Sequence, residues 1–515
     1  ISKNNVSFFR VKGHVNLNRD ENKLEVVFKK FIDWNGPEFD YDDFLYITKM
    51  NNRADHLATS AIKNINDDEF VRTNQSKKFI IVTFGCQMNE HDSENIKGML
   101  ANMGYEETNK IYEADVVLYN TCAIRENAET RFFGNIGALK NIKKNKPNMI
   151  IATCGCMMQE PHIVKELTSK YRHVNIIFGT HNIYKFPELL YTYISLIDKE
   201  TVVDVWDIDG NIVEGLPSVR RYDFKAFVNI MYGCNNFCTY CIVPFTRGRE
   251  RSRLPKDILD EVKLLAQNNV KEITLLGQNV NSYGNNFTDK YSFPMLLEDI
   301  NKVDNIKRIR FMTSHPKDIS DELIESFGKL DKLCDYLHLP VQAGSDSVLK
   351  RMNRKYTAYD YMKKIEKIKK VVPDIALTTD IIVGFPGETE EDFQQTLKIV
   401  KEVEYDSAFM FMYSTRKGTA AEKMEGHIDE EIKKDRFNRL LETANEIAAK
   451  KNQQYLGNIE EVLVEGFSKK NESVLSGRNT KSKLINFIGD ETKIGQLVKV
   501  KITDVKSFSL NGVQV

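Results

Sequence analysis

Three cysteines lie close together near the middle of this 515-residue chain, in the sequence Cys234-Asn-Asn-Phe-Cys238-Thr-Tyr-Cys241. Thiolates at the spacing C-x3-C-x2-C fit a cubane iron–sulfur cluster that has three protein ligands and one open iron. The alternative is a structural zinc site, but such sites are usually closed by four ligands in two C-x2-C knuckles. Because neither a fourth cysteine nor a histidine lies nearby, the spacing favours a cluster whose open iron binds a cofactor.

The composition limits where such a chain can work. At 515 residues it is too long for one hydrophobic core and is expected to divide into three or four domains. Its 73 basic and 73 acidic side chains balance, so only local basic surface can bind nucleic acid. The eight cysteines are too few for a disulfide scaffold, and clustered thiol ligands need a reducing compartment. With no apolar run of membrane-spanning length and no signal peptide in residues 1–10, we expect a soluble, cytoplasmic protein.

The pattern of the chain changes at residue 77. Residues 1–76 show no sustained periodicity and are expected to form an extension without a core of its own. Beyond them, apolar strands alternate with helical stretches, which indicates a parallel α/β sheet. We assign this amino-terminal α/β domain to residues 77–198, with a helix over 93–103, strands over 79–84, 114–120, 149–153 and 174–178, and a linker over 198–222.

A second series of strands and helices follows the linker. Six strand–helix units indicate a partial TIM-like (β/α)6 barrel over residues 220–450, in which ligand chemistry belongs at the carboxyl ends of the strands. The predicted strands are 226–231, 272–276, 308–312, 336–339, 376–383 and 407–413, and the clearest helices are 255–268, 358–371 and 430–454. Short strands over 461–465 and 496–503 then predict a small carboxy-terminal β-barrel over 453–515.

A second set of cysteines follows the strands of the amino-terminal sheet. Cys86, Cys122 and Cys156 each come directly after one of its first three strands. Because the carboxyl ends of parallel strands meet at one edge, these thiols are expected to converge and can hold a second cluster. The alternative is that each is a small buried hydrophobe. Cys154, nearer the strand interior, and Cys334 are expected to be structural.

These motifs together resemble the radical S-adenosylmethionine (SAM) methylthiotransferases, which carry an amino-terminal cluster domain and a carboxy-terminal TRAM domain. The resemblance spans residues 77–515. Besides the C-x3-C-x2-C motif, it rests on Gly85-Cys-Gln-Met-Asn89, Asn120-Thr-Cys-Ala-Ile-Arg-Glu126, Gly155-Cys156, Arg247-Gly-Arg-Glu-Arg-Ser-Arg253, His338-Leu-Pro-Val-Gln-Ala-Gly-Ser345 and Gly384-Phe-Pro-Gly-Glu388.

The resemblance implies two 4Fe–4S clusters and SAM as cofactors. It assigns Cys234, Cys238 and Cys241 to the cluster that cleaves SAM, and the other triad, Cys86, Cys122 and Cys156, to an auxiliary cluster that presents sulfur. Tyr240 resembles the family's adenine-side contact, and the turn with Gly384, Gly387 and Glu388 resembles its SAM-contacting turn. An alternative for that turn is the ordinary start of a helix after a strand. No catalytic residue beyond the cluster ligands is assigned.

The resemblance also implies a substrate. Gly277-Gln-Asn-Val-Asn-Ser-Tyr-Gly284 and Arg249-Glu-Arg-Ser-Arg253 are similar to the branch that methylthiolates C2 of N6-isopentenyladenosine at position 37 of tRNA. The C2–H is not acidic enough for a side-chain base, so a radical is required. Alternatives are N6-threonylcarbamoyladenosine in tRNA, a ribosomal-protein aspartate, or a non-enzymatic iron–sulfur protein that binds RNA or senses redox state. Expected partners are tRNA and a one-electron reductant, and we expect a monomer without membrane attachment.

Two basic regions suggest contacts with phosphate. Arg247, Arg249, Arg251 and Arg253 follow the cluster loop and are predicted to hold SAM or tRNA phosphates, the alternative being a solvated face. In the last domain, an RNA-binding surface is predicted from Arg478, Lys481, Lys483, Lys499, Lys501 and the aromatic Phe487. His315 and His338 are expected to be hydrogen-bonded structural residues.

Overall fold

The computed structural model describes residues 76–123, 126–206, 210, 212–469 and 471–515. The predicted extension over residues 1–76 lies outside the described residues except for residue 76. Within the described part, the chain forms an amino-terminal sheet, a partial barrel and a small closed barrel in series. No helix among these residues has the length and apolar character to cross a membrane.

The amino-terminal unit is one parallel sheet with helices on both faces. All its pairings are parallel and the strand order is β2-β1-β3-β4-β5-β6. The central strands β3 and β4 are buried along their whole length, as expected for strands covered on both faces. In chain order the elements are β1 (Lys78–Thr83), α1 (Gln87–Asn102), β2 (Glu106–Glu107), β3 (Val116–Thr121), α2 (Glu126–Asn145), β4 (Ile150–Gly155), α3 (Pro161–Lys170), β5 (Ile176–Phe178), α4 (Phe186–Ser195) and β6 (Val202–Asp204).

Two features of this sheet differ from the sequence predictions. Strand β6 pairs with β5, so the predicted linker over 198–222 contains a strand of the sheet and the prediction is wrong there. Helix α1 begins at Gln87 rather than near residue 93, because its first turns bury polar side chains such as Asn89 and Asp92 that hide the apolar periodicity.

The middle unit is a partial (β/α)6 barrel, as predicted. Two parallel three-stranded sheets, β7-β10-β11 and β12-β13-β14, are joined by a bridge between Ile309 and Leu333. Its elements are β7 (Lys225–Asn229), β8 (Met231–Tyr232), α5 (Val243–Thr246), β9 (Arg251–Ser252), α6 (Pro255–Gln267), β10 (Glu272–Leu276), α7 (Phe293–Asn301), β11 (Arg308–Phe311), α8 (Asp321–Lys329), β12 (Tyr336–His338), α9 (Asp346–Arg351), α10 (Ala358–Val371), β13 (Ala376–Val383), α11 (Glu390–Val403), β14 (Ser407–Met412) and α12 (Glu430–Gln453).

The barrel strands present different chemistry on their two faces. Side chains such as Val228, Ile273 and Leu377 join the large apolar core that packs against the helices. Their neighbours on the other face, among them Thr274 and Arg310, line a cavity of about 430 Å³. Since successive residues of a strand point to opposite sides, this alternation places a polar interior inside an apolar shell.

The carboxy-terminal unit is a closed five-stranded barrel with the order β15-β16-β17-β19-β18. Apolar side chains of every strand fill its core, and closure removes exposed strand edges. Its strands are β15 (Ile459–Ser468), β16 (Asn471–Arg478), β17 (Leu484–Ile488), β18 (Leu497–Val505) and β19 (Leu510–Gln514).

The small barrel covers the amino-terminal end of the partial barrel. Arg308 donates to the carbonyl of Arg478, and Arg310 donates to the carbonyls of Asn479 and Thr480, with N–O distances of 2.6 to 2.8 Å. Arg308 and Lys225, the first residues of β11 and β7, also pair with carboxylates of the small barrel. The end of the strands that carries the cysteine loop is therefore opposite to the docked domain.

Candidate active site

The C-x3-C-x2-C loop follows β7 and β8 at the carboxyl end of the first barrel strand. Gly233 has a φ of +77°, and a Cβ there would overlap the carbonyl of Arg249, so glycine is required for the loop to fold back on itself. The return is held by the amide of Cys234, which donates to the carbonyl of Gly248 at 3.1 Å, and by that of Cys241, which donates to the carbonyl of Cys238 at 2.9 Å.

Burial and neighbouring sulfurs make two thiols of this loop, Cys234 and Cys241, hard to ionise. Burial, then the charge of Cys238 and, more weakly, that of Cys234, raises the pKa of Cys241 to about 12. Burial also raises the pKa of Cys234 to about 11. Such thiols ionise only when a strong cation or metal compensates the buried charge. The loop thus offers three neighbouring sulfurs that suit metal ligation better than free thiolate chemistry.

The second triad lies at the carboxyl edge of the amino-terminal sheet. Cys122 and Cys156 follow residues that pair in register on β3 and β4, and Cys86 precedes α1. A Cβ on Gly85 would lie 3.1 Å from the Cβ of Cys122. Burial raises the pKa of the Cys156 thiol, Arg247 opposes the shift, and Cys86 raises it further. The structure therefore brings these cysteines to one edge, as their positions after strands predict.

As placed, no three Cys, His, Asp or Glu side chains of the described chain already surround a single point where a metal ion would fit.

The two triads are neighbours in space. Ile242, which directly follows Cys241, packs against Cys156 and Ala123. The single-turn helix α5 then leads to Arg247, whose Nε donates to Cys156 Sγ at 3.2 Å. The segment that follows one triad thus contacts a thiol of the other, at the boundary between the sheet and the barrel.

The arginines after the cluster loop are mostly used inside the protein. Arg247 is buried and pairs with Asp92 at 2.7 Å, and Arg253 is buried and pairs with Glu214 and Glu261. The prediction that the arginines hold SAM or tRNA phosphates is therefore wrong for these two as far as tRNA phosphates are concerned, because both are buried and paired. Of the other two, Arg251 donates to the carbonyl of Gly210, and the exposed Arg249 lies over the ring of Phe237 at 4.4 Å.

The turn after β13 combines two left-handed glycines with an inward carboxylate. Gly384 and Gly387 have φ angles of +72° and +75°. Glu388 Oε1 accepts from the Gly384 amide at 3.0 Å and from Arg436 at 2.8 Å, so this carboxylate closes the turn and ties it to α12. The next residue, Thr389, caps α11 through a capping box, as an ordinary helix start would.

Tyr240 lies beside this turn. Its ring packs edge-on against Phe385 with 6.4 Å between the ring centroids, and burial raises the pKa of its hydroxyl. The residues that the sequence predicts for SAM, Tyr240 and the glycines of the turn, are therefore adjacent, although they follow the first and the fifth barrel strand.

Three family models match the chain, one in each unit. They are the uncharacterised protein family UPF0004 over residues 78–179, the radical SAM superfamily over 228–400 and the TRAM domain over 453–515. The three matches follow the same order as the parallel sheet, the partial barrel and the closed barrel.

Curated relatives match nearly their whole length. The tRNA-2-methylthio-N(6)-dimethylallyladenosine synthase of Alkaliphilus oremlandii is 58% identical over 85% of this chain and 93% of its own. The synthase of the same name from Clostridioides difficile is 57% identical over 87% of this chain and 94% of its own. The chain belongs to this synthase family. Among solved structures, the radical SAM methyltransferase TsrM of Kitasatospora setae aligns with a TM-score of 0.49 at 13% identity, over 68% of this chain and 74% of that chain, a similarity too low to carry an inference.

The carboxyl end of the barrel also contains buried polar atoms without partners, and of their residues only Ser314 was not singled out in the sequence. Within the described residues, the buried side-chain atoms Gln278 Oε1, Asn279 Oδ1, Ser314 Oγ and both polar atoms of Asn281 have no hydrogen-bond partner. All follow β10 or β11 at the carboxyl end of the barrel. Unsatisfied buried polar atoms are costly, so their concentration here indicates a place that a polar ligand completes. Ser314 carried no sequence signal, because single serines after strands are common.

The two histidines and two cysteines that were predicted to be structural lie in buried positions. His315 Nδ1 accepts from the amide of Lys317 at 3.2 Å, and burial lowers the pKa of His315 to about 2. His338 shares a 3.0 Å hydrogen bond with Thr378 Oγ1. Both agree with the prediction of hydrogen-bonded structural histidines. Cys154 is fully buried in the apolar core of the sheet, and Cys334 is also buried.

The basic residues of the TRAM domain serve different purposes. Lys481 pairs with Asp374, and Lys483 pairs with Asp406 at 3.0 Å, so these two hold the domain to the barrel. Arg478 donates to the carbonyl of Ser482. Phe487 is buried in the TRAM core, so its prediction as a stacking residue is wrong. The exposed basic side chains on β18 are Lys499 and Lys501.

Proposed function

We propose that this protein is a radical SAM methylthiotransferase that converts N6-isopentenyladenosine at position 37 of tRNA into 2-methylthio-N6-isopentenyladenosine. One observation carries the proposal: a chain that is 58% identical to a synthase of this kind brings two cysteine triads into contact through Ile242 and Arg247. A sensor protein needs one labile cluster, whereas sulfur insertion needs a radical source and a sulfur source side by side.

We assign one 4Fe–4S cluster to Cys234, Cys238 and Cys241 and the other to Cys86, Cys122 and Cys156. The donor chemistry supports the fit, because three sulfurs without a fourth protein ligand leave one iron open in each cluster. Beyond the effect of burial, the pKa of Cys241 is raised by the nearby Cys238 and that of Cys156 by the nearby Cys86, which supports the grouping too. Cys154 lies in the sheet core and is left out of both sets.

When bound, the first cluster supplies the electron that cleaves SAM to an adenosyl radical, and the second presents the sulfur that is transferred. The chain's own residues hold and orient the reactants. Tyr240 and the turn at Gly384 and Gly387 are proposed to hold SAM, where the left-handed glycines allow the backbone to approach a ligand closely. Glu388 acts on the turn itself, through Gly384 and Arg436.

The residues after β10 offer no charge to the adenine substituent. Residues 278–284 are uncharged, so their unpartnered amide groups can pair with polar atoms of the nucleoside but cannot neutralise the carboxylate of threonylcarbamoyl. Two arginines that could have received that carboxylate, Arg247 and Arg253, are already paired with acidic side chains. The geometry therefore favours isopentenyladenosine over the rival substrate.

Several further properties belong to the proposal. We propose that the enzyme works as a monomer in the cytoplasm, where thiol ligands stay reduced and tRNA is available, and that a one-electron reductant supplies its electrons. We also propose that the domains are those predicted, 77–198, 220–450 and 453–515, with β6 extending the first to Asp204.

The proposal is tested with anaerobically reconstituted enzyme and two purified tRNAs. Isopentenyladenosine tRNA should gain the methylthio group, as measured by nucleoside mass spectrometry. Threonylcarbamoyladenosine tRNA should react at least about a hundredfold less efficiently, equivalent to about 2.7 kcal/mol of transition-state preference. Product only from the second tRNA, or similar product from both, would move the protein to the rival branch.

Metal analysis tests the ligand assignment separately. The intact enzyme should hold about eight iron atoms, and replacing either triad with alanine should leave about four. The variant without Cys86, Cys122 and Cys156 should still produce 5′-deoxyadenosine but transfer no sulfur. Four iron atoms in the intact enzyme, or zinc in their place, would refute the two-cluster assignment.

A further inference from the structure

In each triad, one cysteine accepts a hydrogen bond from a buried arginine. Arg247 Nε donates to Cys156 Sγ at 3.2 Å, and an Arg354 terminal nitrogen donates to Cys238 Sγ at 3.4 Å. Both guanidinium groups are more than nine-tenths buried, with exposed fractions of 4% and 8%. Neither contact was visible in the sequence, since the partners are 91 and 116 residues apart.

The two arginines differ in how their charge is balanced. Arg247 forms a 2.7 Å ion pair with Asp92 and also donates to Asn89 at 3.0 Å. Its positive charge is therefore largely compensated by a carboxylate.

Arg354 has no such compensation among the described residues. Its Nε donates to Tyr356 Oη at 2.9 Å, a terminal nitrogen donates to the carbonyl of Pro340 at 2.9 Å, and no Asp or Glu of the described chain forms an ion pair with it. A buried cation with only neutral partners is costly unless an anion completes its surroundings. The sulfur of Cys238 is the group in contact that becomes anionic on metal binding.

This difference has an electrostatic consequence for bound clusters. Hydrogen bonds to ligand sulfurs and nearby positive charge stabilise the reduced, more negative state of an iron–sulfur cluster and so raise its reduction potential. A neutral ion pair contributes mainly its hydrogen bond, whereas an uncompensated cation adds its full charge, which acts strongly in a buried site.

We propose that Arg354 and Arg247 are positioning residues that set the relative reduction potentials of the two clusters, so that the electron goes preferentially to the cluster on Cys234, Cys238 and Cys241. Arg354 acts on that cluster through Cys238 with its uncompensated charge. Arg247 acts on the other through Cys156 as one half of an ion pair, and its effect is the smaller. The proposal rests on the ligand assignment given under the proposed function.

The test measures potentials and not turnover. Each cluster is isolated in the reconstituted full chain by replacing the other triad with alanine, and its reduced fraction is followed by electron paramagnetic resonance during an anaerobic redox titration. In the protein that keeps only the triad of Cys234, Cys238 and Cys241, Arg354→Gln removes the positive charge and Arg354→Lys retains it. In the protein that keeps only the triad of Cys86, Cys122 and Cys156, Arg247→Gln is combined with Asp92→Asn, so that no buried carboxylate is left unpaired.

At the parent midpoint potential, Arg354→Gln should lower the ratio of reduced to oxidised cluster at least tenfold, equivalent to about 59 mV for a one-electron couple. Arg354→Lys should lower it less, because the charge is retained. The double variant Arg247→Gln, Asp92→Asn should change the ratio of reduced to oxidised cluster on the other triad by clearly less than tenfold. Equal shifts for the Gln and Lys variants, no shift in Arg354→Gln, or a larger shift at Arg247 would overturn the proposal.

Two controls separate this proposal from its premises. Tyr356→Phe removes the hydroxyl that accepts from Arg354 but leaves the guanidinium, and it should shift the ratio less than Arg354→Gln does. If Arg354→Gln does not fold, Tyr356→Phe and Arg354→Lys still test the proposal, because both keep the positive charge. A tenfold fall in the ratio of reduced to oxidised cluster in either variant would contradict a role based on charge. Failure of the ligand assignment would appear differently, as about four iron atoms in the unmodified chain.

Discussion

Replacing Glu272 with Gln is expected to destabilise the amino-terminal end of the partial barrel, where the TRAM domain docks. Glu272 is 1% exposed and stands among three cations, Arg310 at 3.0 Å, Lys225 at 3.2 Å and Arg308 at 4.0 Å. Lys225 and Arg308 also pair with carboxylates of β15. Glu272 is thus the central anion of a network that spans both domains.

The size of the effect follows from the pKa of this carboxyl group. Burial opposes ionisation, but Arg310, followed by Lys225 and Arg308, lowers the pKa of Glu272 from 4.5 to about 2. A shift of this size corresponds to roughly 3 kcal/mol of stabilisation of the ionised form. Breaking a buried ion pair by removing one partner costs about 3 to 5 kcal/mol, which is consistent. For a domain of this size we expect Glu272→Gln to lower the Tm by about 6 to 12 °C.

Thermal unfolding of the full chain, followed by circular dichroism and calorimetry, measures this change. Glu325→Gln is the matched control, because Glu325 is exposed and pairs with Lys329 on one helix at 2.6 Å. Such surface pairs contribute about 0.5 kcal/mol or less, so the control should lower the Tm by no more than about 2 °C. Equal Tm values for Glu272→Gln and the control would refute the reasoning.

The same network predicts how the stability difference between the parent protein and Glu272→Gln changes with pH. Because the folded pKa of Glu272 lies below the unfolded value of 4.5, its contribution is complete above pH 4.5 and is lost as the pH falls toward 2. The stability difference between the parent protein and Glu272→Gln should therefore be constant above pH 4.5 and shrink below it. A difference that grows on acidification would contradict this assignment.

Three further changes test other parts of the structure. Changing the exposed Lys499 and Lys501 to Ala should make the slope of log tRNA affinity against log salt shallower by about 1.5 to 2 units, whereas an unchanged slope would remove β18 from the RNA surface. Gly384→Ala should weaken SAM binding and lower the Tm more than Gly457→Ala, because both have positive φ but only the first Cβ meets another side chain. Cys154→Ala should keep about eight iron atoms; loss of four would make Cys154 a ligand.

Much of the fold could be predicted because its strands are buried in a way that the sequence shows. The predicted strands 272–276 and 376–383 and the predicted helix 358–371 agree with β10, β13 and α10. Strands covered on both faces read as continuous apolar runs, and amphipathic helices repeat their apolar positions every three to four residues. The two cysteine groups could also be predicted, because parallel strands bring their carboxyl ends to one edge.

The remaining features depend on contacts between distant residues. Arg247 and Asp92 are 155 residues apart, and in sequence a buried arginine of this kind looks the same as one facing phosphate. The first turns of α1 bury polar side chains against the barrel, so the apolar pattern that defines a helix begins late. Strand β6 has only three residues, too few for a period to be recognised. In each case tertiary pairing, and not local pattern, decides the structure.

The distribution of charge assigns different tasks to the two ends of the barrel. At the amino-terminal end, acidic side chains of the barrel such as Asp374 and Asp406 hold the TRAM lysines Lys481 and Lys483, which are therefore not free for RNA. At the carboxyl end, the uncompensated Arg354 faces Cys238. Because the exposed lysines of β18 belong to the domain at the first end and the cysteine triads lie at the other, a tRNA held by β18 must extend along the side of the barrel to reach the site. If β18 binds tRNA, the TRAM domain contacts it away from position 37, and loss of the domain should weaken tRNA binding while leaving SAM cleavage unchanged.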